Sequence, residues 1–474
     1  MSETMTEELR LVLNGVDVGT GDYLTPELAL ADVAGALRGG AASPPEAREL
    51  ARRRQADEDH FGVVYGRDPQ DLGSVGWGVV VPPDPDPAVP EALGPLLRLR
   101  EEQAGDLFRR LDLRPGEDKD DFLARHGMGP GVVDPRRVPY HLLLLGSPEQ
   151  VPFDVQYQLG VSYAVGRLDL EDAEAYAAYA ATAVAAEQSP RPQAHRLRFF
   201  APRHPGDTPT ALSSSRLVAP LQAELCDATG GWEVGSDVGE GATRARLEDL
   251  LTGPDAPDLL FTAGHGVGGT AAHRDLAGAL LCQGWPGPLG PRGPVDEAHY
   301  LAGHHLPSGV GIGPRVVFSF ACFGAGTPQQ SDYPDGPDGF APLTATGFTA
   351  RLPQRLLGAP GGALAFVGHV DRAWSCSFLW KGLAAQVTSF QSTLLALMDG
   401  SRLGWAMESL TSRYAEIATE LTRRMDGLRR FGKRIDDVDL VGLWTATHDA
   451  RSYVVLGDPA VRIAPRGGAG PLAG

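Results

Sequence analysis

Two residues of this 474-residue chain stand where their types and settings could do chemistry, His265 and Cys322. Each closes an apolar run and opens a glycine-rich turn. The first run reads Leu259-Leu260-Phe261-Thr262-Ala263-Gly264-His265-Gly266-Val267-Gly268-Gly269, the second Val316-Val317-Phe318-Ser319-Phe320-Ala321-Cys322-Phe323-Gly324-Ala325-Gly326. A free thiol has a pKa of about 8.5 and is mostly protonated at neutral pH. A neighbouring imidazole raises its thiolate fraction and can pass a proton to a leaving amine, so the pair suits attack on a carbonyl. The N–H of Gly266, joined by that of Cys322, would make a two-donor oxyanion hole; losing one such donor costs about 2.7–4 kcal/mol in model enzymes. No orienting carboxylate is evident beside either motif, so the expectation is a dyad. Taken singly, such a cysteine is more often a buried small hydrophobe, and such a histidine a turn residue. Found together in matching settings, they favour catalysis.

Residues 57 positions apart meet only if neighbouring strands deliver them. In open α/β sheets ligands gather beyond the carboxyl ends of strands. From Pro139 the sequence alternates strand and helix patterns, the signature of a mostly parallel sheet flanked by helices on both faces. Strands are expected at 140–145, 160–165, 196–201, 258–263, 315–321, 362–367 and 452–456. Helices are expected at 171–187, 212–228, 243–251, 343–357, 378–398 and 403–424. Residues 1–135 read as an N-terminal extension packed on a 136–474 domain, with strands at 9–13 and 76–81, a helix at 91–111, and no readable role.

Composition narrows the function classes. The net charge is −18, with 42 Lys and Arg against 60 Asp and Glu. So acidic a chain has no global basic footprint for nucleic acid or anionic lipid, so neither is an expected partner. It contains 60 Gly and 39 Pro, which predicts long surface loops. Met1–Leu13 lacks the charged start and apolar run of a secretory signal, and no apolar stretch reaches a membrane span. Cys226, Cys282, Cys322 and Cys376 are scattered, without zinc spacing or a disulfide framework. A cytoplasmic protein with reduced thiols and no cofactor or metal is expected. His299, His304 and His305 read as surface residues. The acidic stretch 332–338 lacks the ordered spacing of a calcium loop, though its carboxylates could hold the ion weakly.

The two motifs resemble the catalytic dyad of the caspase-like cysteine peptidases, the group of caspases, metacaspases, gingipains and bacterial CHAT-domain proteases. The likeness is closest to the gingipain type. Three further stretches agree in order: Tyr163-Ala164-Val165-Gly166-Arg167-Leu168, Gly362-Ala363-Leu364-Ala365-Phe366-Val367-Gly368, and Val454-Val455-Leu456-Gly457-Asp458-Pro459. The resemblance covers about residues 139–465. It implies the caspase-like fold and a cysteine endopeptidase acting on protein or peptide substrates, in regulated proteolysis of the immune or cell-death type. The alternative is a catalytically silent module of this fold that binds protein partners.

The resemblance also places the substrate pocket on the loop 369–374. There Trp374 would form a wall, and Asp371 could hold a basic P1 side chain or pair with Arg372 instead. Arg216 or Arg203 could receive an acidic P1. The net charge gives a weak lean to basic substrates. An unregulated protease is hazardous, so activity is expected to be latent until an upstream protease cuts a loop or a partner binds. Arg351 and Arg355 in the segment after the nucleophile, and Arg274 and Arg292 in the connection 264–313, are the candidate processing sites.

Overall fold

The apolar run His141–Leu145 is a strand buried along its whole length, as a strand covered on both faces must be. Leu143 and Leu145 pack with the helices Gly94–Ala104 and Ala173–Gln188 on one side. Leu142 and Leu144 pack with Phe122 and the helix Phe153–Gly160 on the other. The computed structural model describes residues 10–12, 15–25, 27–39, 62–129, 131–188, 195–228, 231–254, 256–267, 271–307, 313, 315–334, 339–340, 342–380 and 384–463.

Ten strands form the central sheet. In chain order they are β1 (Trp77–Val81), β2 (Phe108–Asp112), β3 (His141–Leu145), β4 (Ala164–Leu168), β5 (His195–Ala201), β6 (Trp232–Val238), β7 (Leu259–Ala263), β8 (Val316–Phe320), β9 (Ala365–His369) and β10 (Tyr453–Gly457). Their spatial order is β2-β1-β3-β4-β10-β9-β8-β7-β5-β6. Every neighbouring pair is parallel except β9–β10. A small antiparallel sheet of Gly266–Val267, Ala279–Leu281 and Tyr300–Leu301 sits beyond the end of β7.

Residues 77–112 do not stand apart from the sheet: β1 and β2 extend its edge in parallel register. A buried polar contact ties them in. Asp458, after β10, accepts hydrogen bonds from Trp77 Nε1 at 2.9 Å and Arg100 Nε at 2.7 Å. Removing one partner of such a buried ion pair typically costs about 3–5 kcal/mol. The Gly166-Arg167 motif is likewise structural. Buried Arg167 donates to Gln156 Oε1 at 2.9 Å, to the Gly146 carbonyl at 2.9 Å and to that of Val151 at 2.6 Å.

Several expected elements differ. The helix expected over 91–111 ends at Ala104, where Gly105 takes φ 54°, and the rest becomes strand β2. The strand expected at 160–165 begins only at Ala164, because Phe153–Gly160 is helical. The helix expected over 343–357 is confined to Arg351–Gly358, since Phe348–Thr349 pairs with Gly326–Thr327. That expected over 378–398 shortens to Thr388–Met398. Strand β6 and the helix Asp437–Arg451 were not anticipated. Among the described residues no helix is long and apolar enough to cross a membrane.

Candidate active site

Strands β7 and β8 are paired in parallel with Ala263 opposite Phe320. Two residues further along each chain come His265 and Cys322. The Gly264 N–H still donates to the Phe320 carbonyl at 3.1 Å, so the two chains leave the sheet side by side. A Cβ built on Gly266 would stand 1.8 Å from the Cys322 carbonyl oxygen. Only glycine permits that approach, and it fixes the histidine turn against the cysteine turn. The Leu281 N–H donates to the His265 carbonyl at 3.0 Å. His265 is thus the hydrogen-bonded partner in this antiparallel ladder, which turns the Gly266 N–H to the opposite side.

The carboxylate that sequence reasoning missed is Asp207. It lies 58 residues before His265, past the end of β5, where it caps the short helix Thr208–Leu212. Its oxygens stand 3.1 and 3.0 Å from His265 Nε2. Asp207 also accepts from the Tyr23 hydroxyl at 2.7 Å, from the Thr210 N–H at 3.0 Å and from the Thr210 hydroxyl. Burial alone would push its carboxyl up, but the charge and hydrogen bond of His265 and the Thr210 and Tyr23 hydroxyls hold it well below the usual carboxylate range. An ionised carboxylate can only accept, so His265 Nε2 carries the proton and a neutral ring keeps its lone pair at Nδ1. Sequence proximity could not find Asp207. The available signal was its place after β5, the strand beside β7, in the capping pattern Asp207-Thr208-Pro209-Thr210.

Cys322 is 2% exposed. The Ala373 N–H points at its Sγ from 3.4 Å, and the Ala373 carbonyl lies at 3.7 Å. Burial pushes the thiol up to about 12. The loop after β9 therefore lies directly on the sulfur. Next to it, Phe323 and Asp371 both hold left-handed backbone, at φ 57° and 70°, joined by a 2.7 Å hydrogen bond from the Phe323 N–H to the Asp371 carbonyl. Non-glycine residues seldom adopt this conformation, and such strain gathers at functional sites.

The remaining site expectations are placed as follows. The Asp371 side chain is fully buried and engaged: it accepts from Ser331 Oγ at 2.8 Å, the Asp332 N–H at 3.0 Å and the Arg372 N–H at 2.9 Å, with Arg372 Nη1 at 3.7 Å. Pairing with Arg372 is thus the alternative this structure adopts. Burial pushes its carboxyl up to about 6 despite Arg372. Trp374 is buried against Tyr333 at 5.0 Å, and its backbone N–H donates to Asp449 Oδ1 at 2.9 Å. Arg216 and Arg203 are exposed. Arg351 and Arg355 both pair with Glu171, at 2.9 and 3.1 Å. Arg274 sits 5.0 Å over the Phe348 ring, and Arg292 lies exposed, 3.7 Å from Asp22. Gly268 and Gly269, and residues 335–338 of the acidic stretch, lie outside the described residues.

His304 and His305 converge on Glu297. His305 Nδ1 accepts the Ala302 N–H at 3.0 Å, so its Nε2 carries the proton and donates to Glu297 at 2.6 Å. That is a hydrogen-bonded arrangement with the lone pair facing away from the cluster. Two cavities, of 860 and 640 Å³, open elsewhere on the surface, and neither is lined by His265 or Cys322.

No protein-family model and no curated protein sequence matches the chain. Among solved structures it is similar to a chain described as a protease, at 11% identity and TM-score 0.45 over 81% of this chain and 78% of that one. A complex of the pro- and mature domains of RgpB from Porphyromonas gingivalis is similar at 15% identity and TM-score 0.42, covering 82% and 79%. The Saccharomyces cerevisiae separase–securin complex is similar at 12% identity and TM-score 0.32, covering 67% of this chain and 16% of that one.

Proposed function

We propose that the chain is a caspase-like cysteine endopeptidase in which Cys322 is the nucleophile, His265 its general base and acid, and Asp207 the carboxylate that orients the histidine. The observation that carries this reading is the buried Asp207–His265 pair on the turn after β7, whose next residue, Gly266, packs on the main chain of Cys322 at the end of the neighbouring parallel strand. In the reaction, Cys322 Sγ adds to the scissile carbonyl carbon and its proton passes to His265 Nδ1. The negative oxygen of the tetrahedral intermediate lies against the N–H groups of Gly266 and Cys322. His265 returns the proton to the leaving amine, and the thioester left on Cys322 is hydrolysed by water activated on the same ring. Asp207 accepts from Nε2 throughout, stabilising the imidazolium and leaving Nδ1 as the nitrogen that exchanges the proton.

The cover over Cys322 supports latency. Substrate cannot reach the sulfur until the Ala373 backbone moves, which fits activation by loop cleavage. Arg351 and Arg355 are tied to Glu171, so Arg292 and Arg274 are the more accessible places for an upstream protease to cut. A preference for basic P1 draws on the net charge, because the Asp371 carboxylate is engaged internally.

The same buried thiol favours one second reading, a silent module whose cysteine is a core residue. A panel of fluorogenic peptides with varied P1, assayed on intact and nicked protein, separates the two. Hydrolysis abolished by Cys322→Ala and by His265→Ala supports the peptidase; parental hydrolysis in the Cys322→Ala variant, or none in any form, rejects it.

A further inference from the structure

The N-terminal segment 15–25 crosses the site. It is a tight hairpin, closed by Asp17 N–H to the Asp22 carbonyl at 2.9 Å and Leu24 N–H to the Gly15 carbonyl at 2.9 Å. Val16 is fully buried and bridges to Val267, two residues after His265. Val16 and Val18 share an apolar cluster with Val267, Leu281, Trp285 and Val295. The Val295 N–H donates to the Val18 carbonyl at 2.8 Å and the Gly293 N–H to that of Thr20 at 3.0 Å. The hairpin is therefore built into the small sheet that carries the histidine turn. It delivers two side chains to the site. Thr25 Oγ1 accepts from Arg372 Nη2 at 3.0 Å, and the Tyr23 hydroxyl donates to Asp207 Oδ1 at 2.7 Å. The Tyr23 ring also stands edge-on to His265, with centroids 5.9 Å apart.

We propose that Tyr23 is a positioning residue for His265, acting through Asp207: its O–H pins one carboxylate oxygen while Thr210 pins the other, so that the plane of the carboxylate, and with it the imidazole, is fixed. This rests on the peptidase reading for its catalytic consequence, and on geometry alone for the hydrogen-bonded chain. The two oxygens of Asp207 divide the work. Oδ1 takes Tyr23, Oδ2 takes Thr210, and both lie close to His265 Nε2. With the Tyr23 donor gone, the carboxylate can turn about its last torsion and becomes a stronger acceptor for the imidazole N–H. The ring is then bound more tightly but held less firmly in direction. A general base depends on direction as much as on basicity. The hydroxyl is itself committed to this role, since burial and the Asp207 carboxylate push its ionisation far above the usual phenol range.

The test is Tyr23→Phe in the full chain, which keeps the ring against His265 and removes only the O–H. The first readout is the downfield proton resonance of the His265 Nε2–H, assigned by its loss in His265→Ala. The second is the split between kcat and KM on the best peptide, measured after the chain has been nicked. The expected result is a displaced resonance together with a kcat about tenfold lower at little-changed KM, a fraction of what a general base supplies. A resonance that stays in place overturns the proposal. A displaced resonance with parental kcat overturns the role in the reaction and leaves only the bond. If the parent cleaves no peptide, either intact or nicked, the peptidase reading fails, and the resonance still decides whether Tyr23 positions Asp207.

Discussion

The Cα of Gly266 lies so close to the main chain of Cys322 that a methyl group there would stand 1.8 Å from the Cys322 carbonyl oxygen and 2.9 Å from its carbonyl carbon. Backbone, not a flexible side chain, blocks the space. Gly266→Ala must push the histidine and cysteine turns apart. We expect a loss of about 1–3 kcal/mol in stability, the usual cost of overpacking, with activity lost more steeply than stability. Denaturant unfolding beside a peptide assay checks this; unchanged activity would show that the two turns need not touch.

Asp207→Asn keeps the shape and the helix cap but offers an amide where a carboxylate accepted from His265 Nε2. The imidazolium loses its counter-charge and the ring the acceptor that keeps the proton on Nε2. In a Ser-His-Asp triad the equivalent change costs about 10⁴ in kcat. A fall of at least about a hundredfold in kcat is expected here, beside a lowered melting temperature, because the ionised carboxylate also stabilises the fold. A variant with parental kcat would return the site to a dyad.

The Cys322 thiol, pushed up to about 12 under Ala373, is mostly protonated and shielded at neutral pH. Alkylation by iodoacetamide should therefore be slow at Cys322 in the intact chain, and faster at exposed Cys226. Nicking in the Arg274 or Arg292 region should reverse the order. Mass spectrometry of the four cysteine peptides gives the rates; rapid labelling of Cys322 without nicking would argue against a covered, latent site.

Burial pushes Asp371 and Asp449 each up to about 6, above the unfolded carboxylate value. Between about pH 4 and 6 the folded chain then holds more protons than the unfolded one, so stability falls as pH rises through that window and levels off above it. Asp207 and Asp458 act oppositely: held low, they stabilise above about pH 4, and that contribution is lost on further acidification. Asp449→Asn should flatten the descending limb, by up to about 3 kcal/mol between pH 4 and 6. Identical slopes in parent and variant would remove Asp449 from the account.

Much of this was legible before the structure. The strands that deliver His265 and Cys322 are short continuous apolar runs, and the adjacency of the turns that follow them comes from parallel pairing. What was not legible depends on contacts between distant segments. Asp207 and Tyr23 reach the histidine only because β5 neighbours β7 and the hairpin 15–25 docks on the small sheet. The run Phe108–Asp112 continues a helical pattern in sequence but becomes an edge strand once Gly105 breaks the helix. Asp371 stands on the expected loop, yet its carboxylate turns inward to Ser331 and Arg372, a choice that loop position alone does not decide.

The most direct test is labelling of the nicked protein with a peptidyl acyloxymethyl ketone, which alkylates only an activated thiolate held beside a peptide-binding groove. The account predicts one adduct, mapped by mass spectrometry to Cys322, absent from Cys322→Ala and greatly slowed in His265→Ala. No adduct, or one on Cys226, Cys282 or Cys376 that survives the His265 substitution, would contradict it.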